Sequence, residues 1–379
     1  MPALPFAAGF AASVSRVSRN QSMLAKIGRE SYGNRRTRIG SLPEVGGRLP
    51  WVLPEEILTP GDGQVRAVFT ICGNPVSSTP DGTTLIKALE QLDLFVSLDL
   101  YVTESNRYAD YVLPAATFLE RPDIVLSFGG TMPRPWVQYT DAVVDRIGDT
   151  REEWEVYQEL LVRMDIDPGP DPWTLIEQMI ADSERAQRDG WTLDRIKQHP
   201  HGVELGGDVP VGVAKQRLAT YTHGARDRVD LGALEVLAQL PSLADVTLDD
   251  DELLLIGRRD FRSINSWMHN VQTPRPSTTP TLHIHPADAG DRGLTDGDTA
   301  IISTSAGTVA VPVTVTDTVH PGTVSYPHGY GHRGGWTTAI DHGGVNINLI
   351  VPNDLATKDP LSGMSLLDGV PVRLIKGAS

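Results

Sequence analysis

Two largely apolar segments in the first third of the chain each end in a short polar or glycine-containing stretch. Residues 65–71 run into the stretch 73–75, and residues 94–98 run into Asp99. Between them, apolar residues recur at helical spacing from about Thr83 onward. The order is therefore strand, loop, helix, strand. In an open α/β sheet, parallel strands bring their carboxyl ends to one edge, where backbone N–H groups and carboxylates face a ligand. The pattern predicts two buried strands with a nucleotide crevice at that edge.

The residues at the two predicted strand ends suit a nucleotide. Gly73 permits close approach of the backbone to a phosphate, and Asn74 can donate to and accept from a base or a ribose. Asp99 can accept hydrogen bonds from ribose hydroxyls or from the N–H edge of a purine. An ordinary turn at residues 73–75 is the alternative explanation of this loop.

Longer motifs give the region a family resemblance. They are Ile71-Cys72-Gly73-Asn74-Pro75, then residues 96–104, and then residues 108–115. In this order they resemble the second half of molybdopterin oxidoreductases of the dimethyl sulfoxide reductase family, which includes formate dehydrogenases and nitrate reductases. Residues 255–259, 263–270 and 285–298 resemble the barrel domain of that family, which binds the cofactor dinucleotide. The resemblance covers roughly residues 30–379 and is weakest in the acidic, helical middle.

The C-terminal region has the pattern of β-structure. Valines alternate with other residues from Val309 to Val315, a turn is indicated at Gly297, and a short strand is predicted at residues 371–375. Several short strands of this kind favour a compact barrel. The resemblance implies that the barrel is of the double-psi type, and the predicted fold class is α/β: a Rossmann-like α/β domain, a helical excursion and a C-terminal double-psi β-barrel.

Four regions are predicted along the chain. They are an N-terminal helix with a basic loop (residues 1–50), an α/β dinucleotide-binding domain (51–165), a polar and helical connecting region (166–245), and a molybdopterin dinucleotide-binding β-barrel domain (246–379). A helix over about 151–164 closes the second region. A capping box formed by Thr150 and Glu153 is expected at its start, and its apolar stripe is expected to belong to the core.

The resemblance implies a set of cofactor-binding residues at the strand ends and in the barrel. The set is Gly73, Asn74, Pro75, Asp99, Thr103, Gly257, Arg258, Arg262, Ser263, Asn265 and Asn346. Arginine guanidinium groups suit a pyrophosphate because they bind its oxygens bidentately. A surface loop whose charges are only solvated is the alternative for the arginine-rich stretch. His269 has no partner visible in the sequence, and neither a catalytic residue nor a protein ligand to a metal is assigned.

The single cysteine limits what this chain can hold. An iron–sulfur cluster needs about four thiolates, so none is expected here, and Cys72 is predicted to be a small buried residue. By resemblance, a missing N-terminal half or a partner subunit carries the cluster and the protein ligand to the metal. With one cysteine there is no disulfide framework, which favours a soluble, cytoplasmic protein.

Charge and hydropathy exclude some partners. The formal net charge of −15 argues against nucleic acids and anionic membranes, and no apolar run reaches the ~18 residues of a membrane span. The function implied by the resemblance is that of the C-terminal cofactor-binding portion of a formate dehydrogenase/nitrate reductase-like enzyme. Such an enzyme carries out two-electron redox chemistry on a small-molecule substrate at molybdenum or tungsten, held by bis-molybdopterin guanine dinucleotide. The isolated chain would then be inactive. The alternative is a non-catalytic molybdopterin-binding module or remnant.

Overall fold

The computed structural model describes residues 36–44, 51–125, 136–204, 234–241, 247–270, 279–334 and 337–378. These residues form two compact units. The barrel unit combines residues 36–113 with the described residues from 234 onward, and the middle unit comprises the described residues between 114 and 204. The C-terminal barrel therefore belongs to the same compact unit as the first α/β strands.

The helices of the described residues are α1 (Leu53–Leu58), α2 (Pro75–Ser78), α3 (Gly82–Leu89), α4 (Glu153–Arg163), α5 (Pro172–Ala181), α6 (Glu184–Asp189), α7 (Leu193–Lys197), α8 (Leu234–Leu237), α9 (Pro286–Asp291) and α10 (Thr337–Ile340). The strands are β1 (Ala67–Ile71), β2 (Leu94–Asp99), β3 (Tyr111–Pro114), β4 (Asp123–Ile124), β5 (Trp136–Val137), β6 (Tyr139–Thr140), β7 (Val203–Glu204), β8 (Glu252–Arg258), β9 (Leu282–Ile284), β10 (Thr299–Ser303), β11 (Thr308–Val315), β12 (Thr323–Pro327) and β13 (Val370–Lys376).

The α/β part of the barrel unit is a three-stranded sheet in the order β1-β2-β3. β1 and β2 are parallel, with Ile71 opposite Leu98, so both strands end at the same edge. The connecting helix α3 starts where the Asp81 carboxylate accepts a hydrogen bond from the Thr84 N–H. Its apolar face, with Leu85 fully buried, packs against Phe95 of β2.

The first strand differs from its prediction. Both ends of β1 are exposed and its central residues are only half-buried, whereas the last three residues of β2 are buried. The reason lies in the sheet order, because β1 is an edge strand and β2 is the central strand. The polar stretch after residue 75 also holds a short helix, α2, where only a loop was expected.

The C-terminal strands close into a six-stranded barrel in the order β10-β11-β9-β12-β8-β13. The pairs β8–β12 and β9–β11 are parallel, and the others are antiparallel. The alternation predicted around Val311 is confirmed, since Val309, Val311 and Val313 are buried in the barrel core. The chain is thus a mixed α/β protein with a closed β-barrel toward its C terminus.

The middle unit has a small core of its own. Two-stranded sheets β4–β6 and β5–β7 lie beside helices α5 to α7, and Ile176, Ile180, Leu193 and Ile196 are buried together. The sequence favours a short amphipathic helix near Trp173 to Arg188, and the structure has two helices there, α5 and α6.

Helix α4 corrects two expectations. Its N-cap is Glu152 rather than Thr150, and the carboxylate of Glu155 accepts the Glu152 N–H at 2.8 Å. Glutamate at N3 therefore completes the cap two residues after the predicted position. No residue of α4 is buried, so its apolar stripe is not part of the core of the described residues.

The predicted N-terminal helix lies outside the described residues. In the basic loop, the Arg38 Nε atom lies 2.9 Å from a carboxylate oxygen of Glu56, so this arginine is engaged in an ion pair. Among the described helices, none has the length and apolar character needed to cross a membrane.

Candidate functional site

A cleft in the barrel unit lies between the strand ends of the α/β sheet and one end of the barrel. Its volume is about 570 Å³, within the usual range for small-molecule and cofactor sites. The sheet side contributes Cys72, Gly73, Asn74, Ser77, Ser78, Asp99, Leu100, Tyr101 and Thr103. The barrel side contributes Leu255, Ile256, Gly257, Arg259, Asn265, Ser266, Trp267, Asn270, Tyr326, His328, Gly329, Ile347, Asn348, Val351, Leu367 and Asp368.

Asn74 is fixed on the sheet side by side-chain hydrogen bonds to two residues that follow β2. Its Nδ2 donates to Glu104 Oε2 at 2.6 Å, and its Oδ1 accepts from Ser105 Oγ at 2.6 Å. Both partners follow β2, so the loop after β1 is held by the loop after the neighbouring strand. The Asn74 side chain is therefore positioned before any ligand binds.

Asp99 stands at the end of β2 with its carboxylate close to the backbone. Its Oδ1 accepts the Leu100 N–H at 2.7 Å. Burial raises the pKa of Asp99, while hydrogen bonds from the backbone of Leu100, Tyr101 and Gly73 oppose that rise. The carboxyl group of Asp99 is therefore partly desolvated at the cleft wall. A bound N–H or O–H group would compete with less water for its oxygens.

Cys72 does not have the buried position that was predicted. It is exposed and lines the cleft, and its φ angle of 46° is in the left-handed region. Its backbone N–H still pairs with Leu98 O at 2.8 Å, so the chain leaves the sheet directly after this residue. The turn away from the strand carries the side chain out of the core.

The barrel wall carries a compact polar triad of Arg259, Asn265 and His328. Arg259 Nη1 donates to Asn265 Oδ1 and lies 2.5 Å from His328 Nε2, which is 2.7 Å from the same Asn265 oxygen. Burial lowers the pKa of His328, and the Arg259 charge lowers it further. The triad thus keeps a permanent cation beside a neutral imidazole.

The loop that supplies Asn265 is strained. Ile264 and Asn265 are both left-handed, with φ angles of 45° and 61°. Such a backbone is uncommon for any residue with a side chain and especially for a β-branched one. Trp267 follows, lining the cleft with 73% of its surface exposed. Strain held at a ligand-sized cleft is typical of functional loops.

Hydrogen bonds tie the two walls of the cleft together. Asn346 Nδ2 donates to Val76 O at 2.8 Å, and Asn348 Nδ2 donates to Ser77 O at 2.7 Å. Gly331 is required beside this joint, because its φ is 80° and a Cβ atom there would lie 2.2 Å from the Asn346 nitrogen. The barrel side chains therefore clamp helix α2 and hold the cleft open in one form.

The structure brings together about half of the residues predicted to bind the cofactor. Those that line the cleft are Gly73, Asn74, Asp99, Thr103, Gly257 and Asn265. Those that do not line it are Pro75, Arg258, Arg262, Ser263 and Asn346.

The second group has local structural contacts instead. Arg258 donates to the backbone carbonyls of Ser325 at 3.0 Å and Thr281 at 2.9 Å, so its guanidinium joins barrel strands. Pro75 begins helix α2, and Asn346 holds that helix as described above. In the turn after β8, Arg262 N and Ser263 Oγ both donate to Asp260.

Arg259 and Asn348 line the cleft but were absent from the predicted set. Leu255, Gly257 and Arg259 stand at alternate positions and all three line the cleft, so the period of two along β8 favoured Arg259 over Arg258, although Ile256 lines the cleft as well. No comparable pattern pointed to Asn348, which lies in a short 3₁₀ turn.

A buried pair of histidines lies within the same unit. His269 is fully buried, and its Nδ1 is 2.8 Å from His332 Nε2. His332 Nδ1 in turn lies 3.5 Å from Glu104 Oε1. The partner of His269 was invisible in the sequence because 63 residues separate the two histidines. In the part of the chain that the structure describes, no group of three or more histidine, cysteine or acidic side chains is arranged to hold a metal ion.

Fold and site together give a cleft lined by strand-end residues and by an arginine-bearing barrel edge. Its volume is in the range of small-molecule and cofactor sites.

The particular family follows from comparison with known proteins. Residues 8–163 match the family model described as molybdopterin oxidoreductase, and residues 253–371 match the model described as molydopterin dinucleotide binding domain. The two matches together span more than half of the chain. The chain belongs to the molybdopterin oxidoreductase family.

Individual relatives agree with this assignment. The chain is 25% identical to the thiosulfate reductase molybdopterin-containing subunit PhsA of Salmonella typhimurium, over 84% of this chain and 44% of the relative. It is also 25% identical to acetylene hydratase of Syntrophotalea acetylenica, over 80% of this chain and 43% of the relative. The solved structure of acetylene hydratase from Pelobacter acetylenicus shares the fold, with a TM-score of 0.57, 22% identity, and coverage of 86% of this chain and 46% of that one. The chain spans less than half the length of these relatives.

Proposed function

We propose that the chain supplies part of the binding shell of a bis-molybdopterin guanine dinucleotide cofactor, as the C-terminal portion of a molybdopterin-dependent oxidoreductase. The observation that carries the proposal is the shared cleft. Asp99 at the end of β2 and Arg259 at the end of β8 line one cavity of about 570 Å³. An anionic dinucleotide with a purine at one end needs both kinds of group in one continuous site.

The residues present fit such a ligand. Asn270 lines the cleft, and its Nδ2 atom is buried with no hydrogen-bond partner among the described residues. A buried donor without a partner is costly, and an acceptor on a bound ligand would remove that cost. At Gly73 the nearest atom to an added Cβ is 3.5 Å away, so the backbone offers an open approach.

The two walls suggest the direction in which the dinucleotide lies. The Asp99 carboxylate suits the N–H edge of guanine, which presents adjacent donors to a carboxylate. The Arg259 guanidinium suits a phosphate, and binding there would replace the crowded contact between Arg259 and His328. Trp267 offers an exposed aromatic face on which a flat heterocycle can stack. We therefore place the base near Asp99 and the phosphates toward the barrel.

When bound, the cofactor supplies two-electron redox chemistry at molybdenum or tungsten. The residues of this chain bind and orient it: Asn74 is preset by Glu104 and Ser105, and the clamp from Asn346 to Val76 keeps the cleft in its binding form. The double-psi form of the barrel and the Rossmann-like form of the first domain are part of this proposal. So are a formate dehydrogenase/nitrate reductase-like reaction, and a missing half or partner subunit that provides the iron–sulfur cluster and the protein ligand to the metal.

A non-catalytic cofactor-binding module is the second candidate. The chain covers 44% of the thiosulfate reductase subunit and 43% of acetylene hydratase, so the activity of these whole relatives is not assigned to it. One of these two relatives carries the name of a hydratase, so redox turnover does not follow from family membership alone.

The test is to purify the protein from its own host and to measure molybdenum, tungsten and acid-released guanine nucleotide per chain. The proposal predicts two guanine nucleotides per metal atom, together with redox turnover of the complex that contains this chain. Cofactor without turnover would favour the binding module. Absence of both guanine nucleotide and metal would contradict both candidates.

A further inference from the structure

Three ionisable side chains form a buried chain behind the cleft, joined by one hydrogen bond and one longer ion-pair contact. Glu104, His332 and His269 are 8%, 5% and 0% exposed. Their successive distances are 3.5 Å from Glu104 Oε1 to His332 Nδ1 and 2.8 Å from His332 Nε2 to His269 Nδ1. At its far end, His269 Nε2 is buried and has no hydrogen-bond partner among the described residues.

The carboxylate end of this chain is firmly ionised. Glu104 accepts the backbone N–H groups of Arg333 at 2.7 Å and Gly334 at 2.9 Å, in addition to Asn74 Nδ2. Burial raises the pKa of Glu104, but hydrogen bonds from His332, from the backbone and from Asn74 outweigh it and bring the pKa to about 2. The negative charge is therefore present at any physiological pH.

That charge sets the tautomers along the chain. His332 Nδ1 faces a carboxylate, so it carries a proton, and its Nε2 is left with a lone pair when the ring is neutral. The lone pair accepts the proton on His269 Nδ1, because two facing lone pairs at 2.8 Å would repel. His269 Nε2 then carries a buried lone pair with no donor.

We propose that Glu104, His332 and His269 form a buried proton relay that takes up one proton at His269 Nε2 and moves the charge next to the carboxylate that holds Asn74. In this step a solvent water gives its proton to His269 Nε2 when local opening of the unit admits it to this buried atom. The N–H bond at His269 Nδ1 breaks, and a new N–H bond forms at His332 Nε2. His332 becomes the imidazolium paired with Glu104, and His269 stays neutral with its proton on Nε2.

The surroundings oppose a charge on His269 itself. The rings of Tyr330 and His342 lie 4.7 Å from it, and a neighbouring carboxylate, Asp260, already accepts the Tyr330 hydroxyl at 2.6 Å. Burial lowers the pKa of His269 to about 4, and His332 and His342 contribute to the fall. A positive charge on His332 instead lies beside the negative carboxylate of Glu104.

The relay lies behind the cleft and is next to it only through two neighbouring residues. Glu104 holds Asn74, and His269 precedes Asn270, and both asparagines line the cavity. One proton taken up in the buried chain is therefore next to the site where a ligand binds. The inference depends on the side chains of this unit alone and not on the identity of the cofactor, so it can fail while the proposed function stands.

The relay can be tested on the protein without any ligand, by ¹⁵N NMR of histidine-labelled chain between pH 4 and 9. The ¹⁵N shifts distinguish protonated from unprotonated ring nitrogens, and His269→Gln and His332→Gln variants assign the signals. At neutral pH the relay predicts Nδ1–H on both rings and an unprotonated His269 Nε2. On acidification, His332 should become the imidazolium in the same step in which the His269 proton moves to Nε2.

Glu104→Gln should lower the pH midpoint of that shared step, since it removes the negative charge that faces the new imidazolium. His320→Gln changes an exposed histidine outside the relay and should leave that midpoint unchanged. Independent titration of the two rings, an Nε2–H tautomer of His269 at neutral pH, or an unchanged midpoint in Glu104→Gln would each overturn the relay. If Glu104→Gln does not fold, the tautomers of the unmodified protein still decide the matter.

Discussion

The Asn346 side-chain amide, which follows the barrel strand β12, donates a 2.8 Å hydrogen bond to the backbone carbonyl of Val76, in the helix that follows β1. Both residues are buried, so the bond joins the sheet edge to the barrel away from water. The cleft between them is consequently built before a ligand arrives. Preorganisation of this kind reduces the entropy lost on binding.

Removing that joint should cost both stability and binding. In Asn346→Ala, the Val76 carbonyl is left buried without its donor, and the free energy of unfolding should fall by roughly 1 to 3 kcal/mol. Chemical denaturation measures this loss. The matched change Asn353→Ala removes a buried amide that contacts Glu55 and Lys358 instead. Asn353→Ala should lower the free energy of unfolding but leave the affinity for a cleft ligand equal to that of the unmodified chain. Equal losses of affinity in both variants would contradict the clamp.

Neighbouring arginines in β8 and just after it should have different roles. Arg259→Gln should weaken binding of GDP by roughly tenfold to a hundredfold, because a charged hydrogen bond to phosphate is lost. Its thermal stability should change little. Arg258→Gln should instead lower stability, since the guanidinium that holds the carbonyls of Ser325 and Thr281 is gone. Calorimetric titration and thermal unfolding of both variants separate the two roles, and the reverse assignment would restore the prediction made from the sequence.

An aromatic face at the cleft mouth should be needed for a flat ligand. Trp267→Ala should weaken GDP or pterin binding by roughly fivefold to a hundredfold, the usual contribution of stacking on one ring, while Trp267→Phe should retain most of it. Tryptophan 267 is 73% exposed, so neither change should affect folding. Quenching of tryptophan fluorescence on titration gives the measurement. Full affinity in Trp267→Ala would mean that the ring lies outside the ligand's path.

Acid should weaken the barrel unit partly through Glu104. Its pKa is lowered from 4.5 to about 2, so its stabilising contribution is present above the unfolded-state pKa and is lost as the pH falls through the folded-state pKa. The loss should occur between about pH 4.5 and 2 and amount to roughly 3 kcal/mol by linkage. The free energy of unfolding, measured with urea across that window, should therefore fall more steeply with decreasing pH for the unmodified chain than for Glu104→Gln. Parallel curves for the two proteins would contradict the assigned pKa.

The parts of the fold that could be predicted from sequence are those with a local period. The alternation around Val311 gave a buried strand, and the helical spacing around Leu85 gave α3, because burial of one face imposes these periods. The strand ends at Asp99 and Gly73 indicated the cleft because the carboxyl ends of parallel strands meet at one edge of the sheet. Edge position is not local, so the exposure of β1 and of Cys72 could not be foreseen.

The composition of the site was harder to foresee because it depends on contacts between distant segments. Arg258 and Arg259 are adjacent, and only the face on which each lies decides which of them reaches the cleft. The pairing of His269 with His332 and that of Asn346 with Val76 join loops with no periodic signal. The family resemblance identified the right segments, and the structure then sorted the individual side chains within them.

The most direct measurement is isothermal titration of the chain with GDP, repeated on Asp99→Asn and on Asp317→Asn, an exposed aspartate elsewhere on the barrel. Asp99→Asn keeps the shape but removes the charge that accepts the guanine N–H groups. The account predicts one saturable site, an affinity roughly tenfold or more weaker in Asp99→Asn, and unchanged binding in Asp317→Asn. No saturable binding by the unmodified chain, or equal affinity in Asp99→Asn, would contradict a guanine dinucleotide site in this cleft.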